Sequence, residues 1–323
     1  MTASNTQDRI LILGAGAIGS FYGAALQAGG ADVSVVCRSD YDAVRANGVA
    51  IDSSALGART LRPAQVLRSA ADYQGGPPAF LIVSVKVVEG TDRAALIRDA
   101  IGPGTAIVLI ENGVEIEAEL AAEFPDHELI SALAFVQVSR TAPGRVKHFA
   151  FGDLHFGNYP SGLSDKARRL AALLEAGGVR AVTTEDVVTA RWQKAVWNAV
   201  FNPVSVLGNA LDTDDILNAA GGKEFVRRAM GEVCAVAAAC GHPLPEGLAD
   251  QFITATAKAP AYKTSMALDY EHGRPMEVEV VLGNAVRAAQ REGVAAPALE
   301  TLYALMKMVE RKAAKRNEAA APR

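Results

Sequence analysis

Arg9-Ile10-Leu11-Ile12-Leu13-Gly14-Ala15-Gly16-Ala17-Ile18-Gly19 is the stretch that decides the fold. RILIL reads as a short buried strand. G-x-G-x-x-G follows it at once and opens a helix-like segment, Ile18 to Ala28, that ends at Gly29-Gly30. Asp32–Cys37, β-branched in the middle, reads as a second strand. Strand, glycine turn, helix and strand within about 30 residues make a βαβ unit. The glycine motif is weak alone and strong in this setting, where it is the fingerprint of dinucleotide binding. The first glycine makes the tight turn, the second lets the backbone approach a pyrophosphate, and the third permits close helix–strand packing. The amides of the helix N-terminus then meet the negative phosphates.

Ala79–Val85 and Ala106–Ile110 are further buried strands, with helix-compatible stretches between. Strands apolar on both faces belong in a parallel sheet covered by helices. The fold class is therefore α/β, with an N-terminal Rossmann-type doubly wound sheet. From Leu129 to Gly157, SALAFVQVSR, GRVKHFA and DLHFG read as three strands with turns at Pro143-Gly144 and Gly152-Asp153, an antiparallel extension of the sheet. A helix over Asp165–Glu175 and a strand over Arg180–Thr183 close a first domain, 1–184. Beyond it, Thr189–Ala210, Lys223–Cys240, Leu248–Lys258, Met276–Glu292 and Ala298–Lys312 carry apolar faces of helical period. Gly241, Gly293 and Pro297 fall where helix ends belong. The expected second domain, 185–323, is all-helical.

The 323 residues suit about two domains. Half are hydrophobic and 21% are charged, which excludes a disordered chain. With 32 basic and 36 acidic residues, there is no basic excess for nucleic acid. The only basic bias, Lys307 to Arg323, is diluted by Glu310 and Glu318 and reads as a solvated helix end. Cys37, Cys234 and Cys240 form no CxxC pair and have no histidine at zinc-ligand spacing, so neither a metal nor a disulfide framework is expected. Met1–Asp8 is mostly polar and lacks the pattern of a secretory signal. No run approaches the roughly 20 apolar residues of a membrane span. A cytoplasmic protein is expected, with no membrane partner.

The second strand ends Val36-Cys37-Arg38-Ser39. An NAD site usually has an acidic residue there for the ribose hydroxyl. Arginine and serine suit a 2′-phosphate instead, so NADP is favoured, with Asp40 two residues late for the ribose. Lys86 and Asn112-Gly113 follow strands of the parallel sheet, at the ends where ligands bind.

In the second half, Arg191-Trp192-Gln193-Lys194-Ala195-Val196-Trp197-Asn198-Ala199-Val200-Phe201-Asn202-Pro203 places Lys194, Asn198 and Asn202 at i, i+4 and i+8, a polar line on a helix apolar nearly all round. Pro203 is expected to kink or end that helix. A partly buried lysine can have its pKa lowered and act as a general acid near neutral pH. Pro275 suits a helix start, which puts Glu277 in the first turn; Glu279 and Glu271 stand equally well by local pattern.

These motifs together resemble the ketopantoate reductase (2-dehydropantoate 2-reductase) family, over roughly residues 9 to 307. The likeness rests on GAGAIG, SVK at Lys86, ENGVE at Asn112, RWQKAVWNAVFNP around Lys194, and TSMALDYEHGRPMEVE around Ser265 and Glu277, in that order. It implies NADPH-dependent reduction of 2-dehydropantoate to pantoate, on the way to pantothenate and coenzyme A. It implies Lys194 as catalytic lysine and Glu277 as active-site glutamate, with Asn112, Asn198, Asn202 and Ser265 holding substrate or cofactor. Gly14, Ala15, Gly16, Ala17, Ile18, Gly19, Arg38, Lys86, Asn112 and Glu277 form the implied cofactor set. Tyr262 departs from the family, some members of which have a substrate-binding asparagine there. A reductase of another small or branched 2-keto acid is the competing reading, and a homodimer is compatible with either.

Overall fold

The computed structural model of the chain describes residues 7–320, with side chains described through residue 315. Residues 1–6 of the polar start and 321–323 of the basic tail lie outside the described residues, as do the side chains of 316–320. The chain forms two compact units. One comprises the chain through Lys86, Thr91–Glu111 and Glu117–Val187; the other comprises Val87–Gly90, Asn112–Ile116 and everything from Val188 on.

The first unit is built on one ten-stranded sheet. Its strands are β1 (Arg9–Leu13), β2 (Asp32–Val36), β3 (Val49–Ser53), β4 (Gly57–Leu61), β5 (Val66–Leu67), β6 (Phe80–Val83), β7 (Ala106–Ile110), β8 (Leu129–Ala142), β9 (Arg145–Asn158) and β10 (Ala181–Thr183). Six of them run parallel in the order β5-β2-β1-β6-β7-β8. That is the doubly wound dinucleotide-binding order, reversing direction of growth at β1. Every residue of β6 and β7 is buried, as a central strand covered on both faces requires. Helices α1 (Ala17–Ala28), α2 (Tyr41–Asn47), α3 (Arg93–Ile97), α4 (Ala118–Glu123) and α5 (Asp165–Ala176) accompany it. Buried Phe21, Tyr22, Leu26, Leu170 and Leu174 join Ile10, Ile12, Val33 and Val35 in one core cluster.

Beyond β8 the sheet continues antiparallel through β9, as expected, but with two long strands rather than three short ones. Gly152-Asp153 is not a turn. The pairing passes from Phe135↔Asp153 to Val136↔Phe151, so Gly152 is an extra residue, a β-bulge. Its φ of +135° is one that glycine accepts readily, and Phe151 beside it has φ +63°. The sheet then gains the hairpin β3–β4, with β3 parallel to β9, which the sequence reading did not anticipate.

The second unit is helical. Its long helix α6 (Val187–Leu207) is followed by α7 (Thr213–Asn218), α8 (Gly222–Ala239), α9 (Leu248–Lys258), α10 (Ser265–Glu271), α11 (Asn284–Glu292) and α12 (Pro297–Ala320). Trp192, Val196, Ala199, Val200 and Phe201 of α6 are buried in one cluster with Val226, Met230 and Val233 of α8 and Leu299 and Met306 of α12. Pro203 does not end α6, which continues one turn to Leu207. That last turn is held by burial of Val206 and by the Ser205 hydroxyl, which donates to the Leu211 carbonyl. Glu277 is also not in a first helical turn. The helix begins at Val278, and Glu279–Gly283 is a π-helical turn leading into α11. No helix among the described residues is long and apolar enough to cross a membrane.

The close approach at Gly19 gives a stability test. A Cβ there would lie 2.3 Å from the Gly14 carbonyl oxygen and 2.5 Å from Ser84 Oγ, whereas one at Gly16 meets nothing within 4 Å. Gly19→Ala is expected to cost about 1–3 kcal/mol and lower the melting temperature by several degrees. Gly16→Ala should leave it nearly unchanged. Equal shifts in calorimetry would refute this account of the turn.

Candidate active site

The residues singled out in the sequence fall into two sets, one on each unit. On the first unit, Gly14 leaves β1 with φ +99°, and its amide and that of Ala15 donate to the Val36 carbonyl at 3.1 and 3.2 Å. Ser84 Oγ donates to the carbonyls of Leu13 and Gly14, pinning the turn. Helix α1 starts at Ala17 behind Gly16, with no side-chain cap and no acidic residue in its first turn. Open space at Gly16, an uncapped helix start at Ala17 and Ile18, and contact-tight Gly14 and Gly19 together fit the pyrophosphate of a dinucleotide. Arg38 is exposed two residues past the end of β2, and Lys86 is half-buried three residues past the end of β6.

Asp40, the nearest acid to the end of β2, has other partners. It is 4% exposed. One oxygen accepts from Arg140 and from Ser39 Oγ, and the other accepts from the Gly144 amide at 3.1 Å. Ser39 also takes a hydrogen bond from Arg140. These two side chains therefore tie β2 to the β8–β9 hairpin. Of the Arg38-Ser39 pair, the exposed arginine is the one whose head is not part of that tie.

On the second unit, Lys194, Asn112 and Glu277 form one chain of hydrogen bonds. Lys194 Nζ donates to Asn112 Oδ1 at 3.0 Å, Asn112 Nδ2 donates to Glu277 Oε2 at 3.3 Å, and the Val87 amide donates to Glu277 Oε1 at 3.1 Å. The Asn112 amide can satisfy both neighbours in only one orientation, oxygen to the ammonium and nitrogen to the carboxylate. Burial lowers the Lys194 pKa to about 7, helped by the Arg191 guanidinium and opposed by the Glu277 carboxylate. At neutral pH this amine is divided between its two forms, the condition for a general acid or base.

Local structure holds each member. The Asn112–Ile116 loop is fixed by the Val114 amide to the Val280 carbonyl, by Asn284 Nδ2 to the Val114 carbonyl at 2.7 Å, and by Arg191 Nη1 to the Gly113 carbonyl at 3.0 Å. Val280 of the π-helical turn, Asn284 at the start of α11 and Arg191 of α6 thus anchor the loop that carries Asn112. Arg274 pairs with Asp269 at 2.9 Å and closes the bend that leads to Glu277. The three glutamates left open by the sequence now separate. Glu271 pairs with Lys263. Burial would raise the Glu279 carboxyl, but hydrogen bonds from Lys307, Arg287 and Tyr303 bring it down to about 2. Glu277 is the one hydrogen-bonded to Asn112.

At roughly 100° per residue, Asn198 and Asn202 follow Lys194 down one side of α6, while Trp197 and Phe201 follow it down the other. Asn202 is 3% exposed, and its Oδ1 has no hydrogen-bond partner among the described residues. An acceptor left so costs about 1–3 kcal/mol, and a ligand donor would relieve it. Trp197 stacks on Phe201 at 4.6 Å and lies parallel to Tyr262 at 5.9 Å, with its indole donating to Thr256 Oγ1. Ser265 is exposed at the start of α10, behind its N-cap Thr264. The sequence reading missed Arg191, the Val87 amide and the Asp269–Arg274 pair. Only the last leaves a sequence trace, opposite charges flanking a glycine bend.

Two measurements follow from the electrostatics. Glu277→Gln removes a charge that favours the ammonium, so the Lys194 midpoint, read by NMR titration of Nζ, should move below about 7; an unmoved midpoint would contradict the coupling. An unfolded lysine titrates near 10.4, so between about 7 and 10.4 the unfolded chain binds more protons at this residue. Stability therefore rises with pH over that window. Lys194→Met should be more stable than the parent at pH 7, with the gap closing toward pH 10. A pH-independent gap would show that the amine is not desolvated.

Comparison with known proteins places these residues in a family. The model of "Ketopantoate reductase PanE/ApbA" matches residues 10–161, and that of its C-terminal part matches residues 186–310. A 2-dehydropantoate 2-reductase of Nostoc sp. is 30% identical over 94% of this chain and 96% of its own. The crystal structure of 2-dehydropantoate 2-reductase from Methylococcus capsulatus is 55% identical, with TM-score 0.89, covering 94% of this chain and 97% of that one. D-mandelate dehydrogenase with NADH and anilino(oxo)acetate has TM-score 0.85 at 20% identity over 94% and 99% of the two chains, a likeness of fold alone. The chain belongs to the ketopantoate reductase family, a family of oxidoreductases.

Proposed function

We propose that this chain reduces 2-dehydropantoate to pantoate with NADPH, a step toward pantothenate and coenzyme A in the cytoplasm. The observation that carries the reading is the Lys194–Asn112–Glu277 chain, with its amine poised at about 7. The substrate comes from the relatives named for it. The phosphate-bearing cofactor comes from the Arg38 position and from the engagement of Asp40 elsewhere.

Gly14 to Gly19 would hold the pyrophosphate, Arg38 the 2′-phosphate and Lys86 a further phosphate. When bound, the reduced nicotinamide supplies a hydride to the C2 carbonyl carbon. Negative charge then grows on the carbonyl oxygen. Lys194 hydrogen-bonds that oxygen and gives it the Nζ proton, so the product leaves as an alcohol. Asn112 keeps the amine aimed, and Glu277 stabilises its protonated form before transfer. Asn198 and Ser265 offer neutral hydrogen bonds to the substrate's carboxylate and hydroxyl, and Asn202 Oδ1 accepts from a hydroxyl. The Trp197–Phe201–Tyr262 stack favours one second reading, another 2-keto acid with a bulkier apolar side chain.

The test is NADPH consumption at 340 nm with 2-dehydropantoate beside a panel of 2-keto acids. Selective turnover of 2-dehydropantoate is expected, and selective turnover of another acid would replace it with the second reading. Lys194→Ala should lower kcat by at least about 10²-fold, and kcat/KM of the parent should fall above about pH 7, as the proton donor is lost. Near-normal turnover of the variant would remove Lys194 from the mechanism.

A further inference from the structure

The first unit carries a second arginine at the cofactor end of the sheet. Strand β5 lies beside β2 in parallel register, Val35↔Val66 and Val36↔Leu67. The Cys37 amide then donates to the Leu67 carbonyl at 3.0 Å, so Arg68 stands one residue past the end of β5, as Cys37 stands past β2. Arg38 and Arg68 therefore emerge at the same C-terminal edge, from adjacent strands. Ligands of doubly wound sheets bind along that edge.

Arg68 is also held in place. Its guanidinium carbon lies 3.9 Å from the centroid of the Tyr41 ring, a cation–π contact. The acids nearby leave its charge largely available. Asp40 is engaged by Arg140, Ser39 and the Gly144 amide. Asp42 reaches Arg68 through one contact of 3.4 Å, with the Arg68 side chain 58% and the Asp42 side chain 92% exposed. Such an exposed pair contributes little, and a dianionic phosphate would displace it. Arg45 also approaches the Tyr41 ring, at 5.9 Å, and donates to its hydroxyl at 3.4 Å, adding to the positive character of this corner.

We propose that Arg68, held against Tyr41, binds the 2′-phosphate of NADP(H) together with Arg38, so that recognition of the phosphate is shared by two adjacent strands. The proposal rests on the NADP reading above and assigns it a second residue, which a scan of the end of β2 alone does not reach.

The test is calorimetric binding to the full chain of two probes, adenosine 2′,5′-bisphosphate and AMP, with melting curves to confirm folding. The parent is expected to prefer the bisphosphate by at least about tenfold. Arg68→Ala should reduce that preference about tenfold, the scale of a charge-assisted hydrogen bond, and leave AMP binding within about twofold. Arg68→Lys should restore only part of it, because an ammonium does not reproduce the planar fork. A preference intact in Arg68→Ala but lost in Arg38→Ala would overturn the role of Arg68 and leave the NADP reading standing. Equal weakening of both probes would also overturn it, placing Arg68 on the shared adenosine or 5′-phosphate. A parent with no preference would sink the NADP reading itself, and this proposal with it.

Discussion

An ammonium on a helix that is apolar nearly all round has to be held by something, and much of the second unit is arranged around that need. Lys194 lies among the buried residues of α6, with Trp192, Val196 and Phe201 within two turns of it. Its ammonium donates to the Asn112 amide oxygen, and that amide is in turn oriented by a carboxylate. Asn112 arrives on a short loop and Glu277 two residues before a π-helical turn, and the loop is bonded to Val280 in that turn and to Asn284 just after it. Loss of any of these backbone anchors would leave a desolvated amine with a poorly placed partner, which is costly. Arg191 sharpens the compromise, because it supports the loop while pushing the lysine toward its neutral form.

The parallel half of the sheet was legible because its signal is local. Apolar runs on both faces, a glycine turn and a helix of matching length occur within one crossover, and β1, β2, β6 and β7 follow from them. The hairpin β3–β4 was not legible for the opposite reason. Val49, Ile51 and Ser53 alternate inward over only five residues, and their partner strand β9 lies about 95 positions along the chain, as the Ser53–His148 hydrogen bond shows. The bulge at Gly152 was misread because a Gly-Asp pair serves a turn and an extra residue in a strand equally well.

The site divides along the same line. The spacing of Lys194, Asn198 and Asn202 is a property of one helix and could be read from sequence. The choice among Glu271, Glu277 and Glu279 depends on which long side chains come to meet them, and those come from as far as Lys307. Three of the motifs that carry the family likeness are segments whose residues converge here: the loop at Asn112, the helix of Lys194 and the bend before Glu277.

The tie at Asp40 bears on how such a chain can drift in evolution. A carboxylate already stands near the end of β2, yet it is committed to Arg140 of β8 and to the turn after it. Freeing it for another partner would release the end of β2 from a hairpin about a hundred residues away in sequence, so its structural duty resists a change of partner. Any change that recruited this carboxylate to a ligand would therefore be felt first as a loosening of the sheet, far along the chain from the ligand's own neighbours.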